Sequence, residues 1–238
     1  MIDDIASLQK LYGANYNTRS DDTVYGFNSN TADSQFHIAS GKEKLPVPFT
    51  IWDGGGTDTL DFSGFSQDQR IDLNDGALSD VGGMKDSVGI ARSSFVENVI
   101  SGSGNDTIIG NNEANNIQAG AGDDIIYGAG GEDQLQGGEG SDTFVFREVS
   151  DSFASSPDSI MDFTSGKDKI DVSDILTTIG GDITLSFSES FTGQVGESVL
   201  SFDPSTQKGY LAIDLTGLGM ADFQVNLIGQ AVSSDIIA

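Results

Sequence analysis

The residues best placed to do chemistry lie in five consecutive nonapeptides between Ser101 and Val145: SGSGNDTII, GNNEANNIQ, AGAGDDIIY, GAGGEDQLQ and GGEGSDTFV. Position six is held by Asp106, Asn115, Asp124, Asp133 and Asp142, and position eight by Ile108, Ile117, Ile126, Leu135 and Phe144. A separate copy, DGGGTDTLD, spans residues 53–61. Carboxylates that recur in phase beside Gly-rich turns are oxygen donors for a hard cation, and the period matches calcium-binding parallel β-helices. A carboxylate pair for acid–base work could hide in such an excess of Asp. Here the well-placed Asp are already accounted for by the repeat.

The elements that must position these oxygens follow from the period. In each unit six residues make a turn and three a short strand, and two units complete one coil of a parallel β-roll. Turns on one edge therefore recur every 18 residues. Calcium takes six to eight oxygens at roughly 2.3–2.6 Å, more than one turn supplies, so two stacked turns must share an ion. Sites are expected between turns 101–106 and 119–124, and between 119–124 and 137–142. On the opposite edge 110–115 pairs with 128–133, where neutral Asn115 weakens the charge. The turn pairs and ordinary calcium coordination together suggest about six to eight sites. Position-eight residues point between the two sheets and stack into the core.

Composition agrees with this division of labour. Acidic residues number 37 against 11 basic, a formal net charge of -26. Such a chain is no nucleic-acid binder and is repelled by anionic lipid. Without cations the stacked turns bring like charges together, so a largely disordered cation-free chain and a folded calcium form are expected. There is no cysteine, which removes disulfides and Cys-based sites and leaves metal as the available staple. No Sec-type leader opens the sequence and no stretch approaches the ~20 apolar residues of a membrane span. Residues 2–12 read as an amphipathic helix, with Ile2, Ile5, Leu8, Leu11 and Tyr12 on one stripe that should pack on something, and Gly13 and Asn15 at its end. Beyond residue 19 the texture is β-prone, as in Thr23–Phe27 and Phe49–Trp52, with single helical turns near Ser173–Ile179.

Along its full length the chain resembles the C-terminal region of the serralysins, secreted bacterial zinc metalloproteases with an RTX β-roll. The matching stretches, in the family's order, are DDIASLQKLYGAN, TRSDDTVYGFNSN, IWDGGGTDTLDFS, IDLNDGALSDVGG, FVENVISGSGNDTIIGN, MDFTSGKDKIDVSD and the closing DIIA. The resemblance implies an all-β fold: a calcium-binding parallel β-roll with a short N-terminal helix and a C-terminal antiparallel β region. The corresponding boundaries are 1–16 for a linker helix, 17–145 for the roll and 146–238 for a sandwich-like cap. The resemblance also implies a calcium site from backbone oxygens of Arg19, Asp21 and Thr23, closed by Asp53, Gly55 and Asp58, with Glu97 joining the first turn of the roll. The family usually has Gly where Asp21 stands, a change that a carbonyl ligand tolerates. Further carbonyls would come from Gly102, Gly104, Gly120, Gly122, Gly131, Gly138 and Gly140. Ser234–Ala238 is similar to the family's uncleaved secretion signal, which implies a type I ABC exporter as partner and an extracellular location. The same residues could equally be a last edge strand with an apolar tip.

The family's catalytic motif, H-E-x-x-H-x-x-G-x-x-H with a Met-turn, needs three histidines, and this chain has only His37, read as an ordinary surface or strand residue. No zinc is expected in this chain. The leading reading is a non-catalytic module that binds calcium, folds on it and directs type I export, its helix docking on a protease domain. The alternatives are a portion of a serralysin-type metalloendopeptidase, and a binding module from another RTX protein. The LQKLYGAN helix speaks against the last.

Overall fold

Apolar residues at every second position of the short runs, and turns rich in Gly, Asp and Asn between them, fold the chain into two facing sheets. The computed structural model describes residues 1–39, 48–180 and 183–238. With strands numbered along the chain, the first sheet stacks β1 (Val24–Gly26), β3 (Thr59–Asp61), β7 (Asn98–Ile100), β9 (Asn116–Ala121), β11 (Gln134–Glu139) and β13 (Asp158–Ile160), all parallel. It continues through β18 (Phe223–Ile228), β17 (Lys208–Asp214), β16 (Glu197–Asp203) and β15 (Ser186–Ser188), where the β16–β17 and β17–β18 pairs are antiparallel. The second sheet runs β19 (Ile236–Ile237), β14 (Lys169–Asp171), β12 (Thr143–Val145), β10 (Ile125–Tyr127), β8 (Thr107–Ile109) and β4 (Arg70–Asp72), again parallel. It ends with β5 (Leu78–Val81), β6 (Met84–Ile90) and β2 (Phe49–Ile51). The fold is thus an all-β parallel roll with an N-terminal helix and an antiparallel C-terminal region.

The repeat's register is the core's register. All five position-eight residues are fully buried. Ile126 stands opposite Ile108 and Phe144, and Leu135 opposite Ile117 and Ile160. The ladders run beyond the repeat, to Ile71 and Ile170 on one sheet and to Val99, Leu60, Tyr25 and Leu227 on the other. One hydrophobic cluster therefore extends from Tyr25 to Ala231, and the parallel stack passes residue 145 without a break. Ile126→Ala, which opens a cavity between Ile108 and Phe144, should cost about 2–5 kcal/mol. Denaturant unfolding in saturating calcium measures that loss.

The structure departs from the expected pattern in four places. β9 and β11 are six residues long, because Gly120 and Gly138 continue the ladder into the turns. A side chain at Gly138, whose φ is 100°, would overlap the Gly120 carbonyl oxygen below it. Antiparallel pairing is also not confined to the C-terminal region: β5 and β6 form a hairpin. Residues 71–90 lack the nonapeptide, and Gly82 and Gly83, both at positive φ, make the two-residue turn instead. Third, α1 (Ile2–Tyr12) forms as expected but has no buried residue. Ile2 and Ile5 are half-covered, while Leu8, Leu11 and Tyr12 are exposed, so only part of the apolar stripe finds the roll. The turn near Ser173 proves to be a two-turn helix, α2 (Ser173–Ile179), with Ile175 and Leu176 buried.

Candidate metal-binding turns

Each position-six side chain sits where its turn enters a strand, and the parallel stacking places these side chains one above another. On one edge Asp106 Oδ1 accepts from the Gln69 amide at 2.7 Å, Asp124 Oδ1 from the Asp106 amide at 2.7 Å, and Asp142 Oδ1 from the Asp124 amide at 3.0 Å. Asp168 Oδ1 closes the series on the Asp142 amide at 3.1 Å. On the other edge the Asn115 amide donates to Asp133 Oδ1 at 2.8 Å, and the Asp133 amide to Asp158 Oδ1 at 2.9 Å. The steps within the repeat are 18 residues apart, as the two-unit coil requires.

One oxygen of each of these carboxylates is used by the ladder, and the other is commonly left over. Asp124, Asp133, Asp142 and Asp158 are at most 1% exposed, and among the described residues their Oδ2 atoms have no hydrogen-bond partner. Asp58 is in the same condition. Asp106 differs, its Oδ2 accepting from Ser101 Oγ and from the Gly102 amide. A buried, unpaired carboxylate oxygen is costly unless it is protonated or met by a counter-charge. Burial pushes the Asp124 carboxyl up to about 7 and Asp133 up to about 8, each partly offset by the amide it accepts. Burial likewise raises Asp142 to about 6, with the Asp168, Asp162 and Asp123 charges adding to it.

The glycines expected to supply carbonyls face the neighbouring turn. The Gly102 and Gly104 oxygens lie against the Cα positions of Gly120 and Gly122, and theirs in turn against Gly138 and Gly140. The Gly102 carbonyl also accepts from the Ala121 amide at 3.0 Å. On the other edge Gly131 stacks on the Glu113 carbonyl. Asn115 Oδ1 accepts from the Asn111 amide at 2.8 Å and its Nδ2 donates to Asn111 Oδ1 at 3.0 Å. Among the described residues no three His, Asp or Glu side chains gather to hold an ion by themselves. A cation held here would take much of its shell from main-chain carbonyls, as calcium accepts and zinc does not.

The turn at 18–23 lies over the turn at 53–58. The Gly54 amide donates to the Thr18 carbonyl at 2.9 Å, and the Thr23 amide to Asp58 Oδ1 at 2.8 Å. Arg19, at φ 48°, turns its guanidinium to the Trp52 carbonyl and to Tyr25 Oη. Asp53 is buried, accepting from the Gly55 amide and from Tyr25 Oη. The Asp21 carbonyl accepts from Thr23 Oγ1 at 2.8 Å, and the Thr23 carbonyl from the Thr59 amide at 2.8 Å. Glu97 Oε2 accepts from the Asp58 amide at 2.7 Å, and Asp53 and Glu97 are among the residues that line one cleft of ≈ 230 Å³. Burial, together with the Asp53 and Glu97 charges, pushes Asp58 up to about 8. His37 lies apart, exposed, with its ring nitrogen on the Thr31 carbonyl.

Asp158 and Asp168 are ladder members that the nonapeptide does not reveal, because they follow 25 and 26 residues after the rung they join. The available signal was the local triplet: each stands two residues before a buried Ile, Ile160 or Ile170, as Asp does in the repeat. The C-terminal residues form β19, fastened by buried Asp235, which accepts from Ser165 Oγ at 2.6 Å and the Gly166 amide at 3.1 Å.

Among relatives, Metalloprotease AprA of Pseudomonas entomophila is 60% identical over 100% of this chain and 48% of its own length. Serralysin of Photorhabdus laumondii is 54% identical over 100% of this chain and 49% of its own. Serralysin A of Dickeya chrysanthemi is 54% identical over 97% and 48%. The chain spans about half the length of the curated relatives it matches. Among solved structures, the AlgE6R2 subunit of Azotobacter vinelandii mannuronan C5-epimerase has a TM-score of 0.40 at 22% identity, over 74% of this chain and 90% of that one, too low to argue from. The family model described as Peptidase M10 serralysin C terminal matches residues 14–238. With that match and relatives above half identity over its whole length, the chain belongs to the serralysin C-terminal family.

Proposed function

We propose that this chain is a calcium-binding module that folds on calcium outside the cell and has no catalysis of its own. The observation that carries the reading is the set of buried Oδ2 atoms on Asp58, Asp124, Asp133 and Asp142 that have no partner among the described residues, beside stacked turns whose glycine carbonyls point at the next turn. Asp53, Asp58 and Glu97 with the 18–23 turn would hold calcium at the start of the roll. Asp106, Asp124, Asp142 and the glycine carbonyls of their turns would hold it along one edge, and Asp133 along the other. Bound calcium supplies the positive charge that these carboxylates lack, and its binding free energy becomes folding free energy.

The partners follow from the same reading. A type I exporter would take the chain unfolded at low cytosolic calcium through Ser234–Ala238, before β19 docks. The exposed Leu8, Leu11 and Tyr12 of α1 would pack on a protease domain in the whole protein, which the relatives' names and lengths suggest is a secreted metalloendopeptidase. Far-UV circular dichroism of metal-stripped chain across a calcium titration tests the core of the proposal. A cooperative, chelator-reversible gain of β-structure is expected. A spectrum that is folded without calcium and unmoved by it would refute the reading.

A further inference from the structure

We propose that the outer face of the first sheet, from β7 to β17, is a binding surface for an uncharged polysaccharide and ends in a groove at Tyr210. The inference goes beyond the calcium reading and uses none of its ligands. Strand alternation buries Val99, Ile117, Leu135, Ile160, Leu227 and Leu211 on the inner face and turns their neighbours outward. Strand pairing then aligns Asn98, Asn116, Gln134, Ser159, Asn226 and Tyr210 in one continuous row across β7, β9, β11, β13, β18 and β17. A second row sets Ile100, Gln118 and Gln136 beside it. None of these outward positions is charged, in a chain with 37 acidic residues. The outer rows of the second sheet, by contrast, carry Arg70, Asp72, Lys169 and Asp171.

The amides of this face are not consumed by the fold. Among the described residues the side chains of Asn116, Gln118, Gln134 and Gln136 make no hydrogen bond. Elsewhere on the face Asn98 Nδ2 donates to Thr59 Oγ1 at 3.4 Å, and Gln224 Nε2 to Asn226 Oδ1 at 3.0 Å. Asn116, Gln134 and Gln136 are exposed. Each free amide offers two donors and an acceptor, a pattern that neighbouring hydroxyls of a sugar satisfy. Adjacent strands repeat it roughly every 4.7–4.9 Å, so a polymer of hydroxyl-bearing units is held at several points at once. Where the parallel stack meets the antiparallel strands, the row opens into a groove of ≈ 530 Å³ whose lining includes Ser159, Met161, Ser201, Tyr210 and Asn226. Half-buried Tyr210 supplies aromatic surface for the C–H face of a sugar ring, and Asn226, Ser159 and Ser201 supply hydrogen bonds around it. Asp203 and Lys208 stand opposite each other in the register, so the lining is neutral overall. Charge selects the occupant. A net charge of -26 repels acidic polymers, and a cationic ligand gains more at the carboxylate-rich turns than on this face. An uncharged, hydroxyl-rich polymer is indifferent to that field.

NMR titration of the whole chain, folded in calcium, with soluble oligosaccharides of cellulose, laminarin and starch tests the surface. The expected result is a saturable shift of the Asn116, Gln134 and Asn226 side-chain amide signals with at least one of the three, while Ile109 and Tyr127 on the second sheet stay unmoved. Tyr210→Ala should weaken that binding on the order of tenfold, through loss of the aromatic contact. The exposed pair Gln134→Ala and Gln136→Ala, made together, should weaken it several-fold while the circular dichroism of the calcium form is retained. No saturable response to any of the three sugars, or shifts confined to the second sheet and the turns, would overturn the inference. So would an equal or stronger response to an acidic oligosaccharide of hyaluronan. If Tyr210→Ala fails to fold, the wild-type titration and the glutamine pair decide.

Discussion

Asp124→Ala should raise the calcium concentration at the midpoint of folding by at least about tenfold, each factor of ten corresponding to about 1.4 kcal/mol. Asp124 is the central rung of its edge, between the 101–106 and 137–142 turns, and is 1% exposed. Its Oδ1 holds the Asp106 amide at 2.7 Å, and Ala would leave that buried donor unsatisfied, at about 1–3 kcal/mol. On the proposed calcium reading the substitution also removes a carboxylate from the sites on both sides, so its effect should exceed that of a terminal rung. Asp124→Asn separates the two contributions, because an amide oxygen keeps the hydrogen bond and loses the charge. Its midpoint should lie between those of the wild type and the Ala variant. Circular dichroism titrations of the three proteins measure the order, and an unchanged midpoint in both variants would remove Asp124 from the site.

The metal-stripped chain should gain β-structure as pH falls from about 8 to about 4.5, the reverse of ordinary acid denaturation. In the metal-free fold Asp142, Asp124, Asp133 and Asp58 are raised to about 6, 7, 8 and 8, from 3.8 in the open chain, with burial the leading cause. A raised acid binds more protons folded than unfolded. Its contribution is therefore fully present below about pH 4 and is lost as pH rises through those values. Glu197 acts in the opposite sense. Its hydrogen bonds from Thr192, Gln194 and Gly193 hold it down to about 2, so it supports the fold above its open-chain value and fails at strong acid. The two together place the optimum of the metal-free fold near pH 4–5. On the proposed calcium reading the slope should reverse when calcium is present, because protons and calcium would compete for the same oxygens. Thermal melts against pH, with and without calcium, should therefore give curves of opposite slope. Parallel curves would mean that the ladder carboxylates are not the calcium ligands.

The repeat made much of this architecture legible because its period is the geometry of the coil. Eighteen residues return the chain to the same edge, so the alignment of Asp106, Asp124 and Asp142, and the burial of Ile108, Ile126 and Phe144, follow from counting. The helix at 2–12 was equally readable, since its start, stripe and stop are local. Tertiary structure alone decided what lies outside the period. Asp158 and Asp168 join the ladders after excursions of irregular length, and only strand pairing shows which amide each one receives. The free oxygen atoms were likewise invisible. Asp106 and Asp124 occupy the same position in their repeats, yet Ser101 satisfies one Oδ2 and nothing among the described residues satisfies the other. A sequence period determines which residues share an edge, because chain geometry repeats with it. Which polar atoms remain unpaired depends on neighbours brought in from distant segments, and that is settled only when the sheets close on their core.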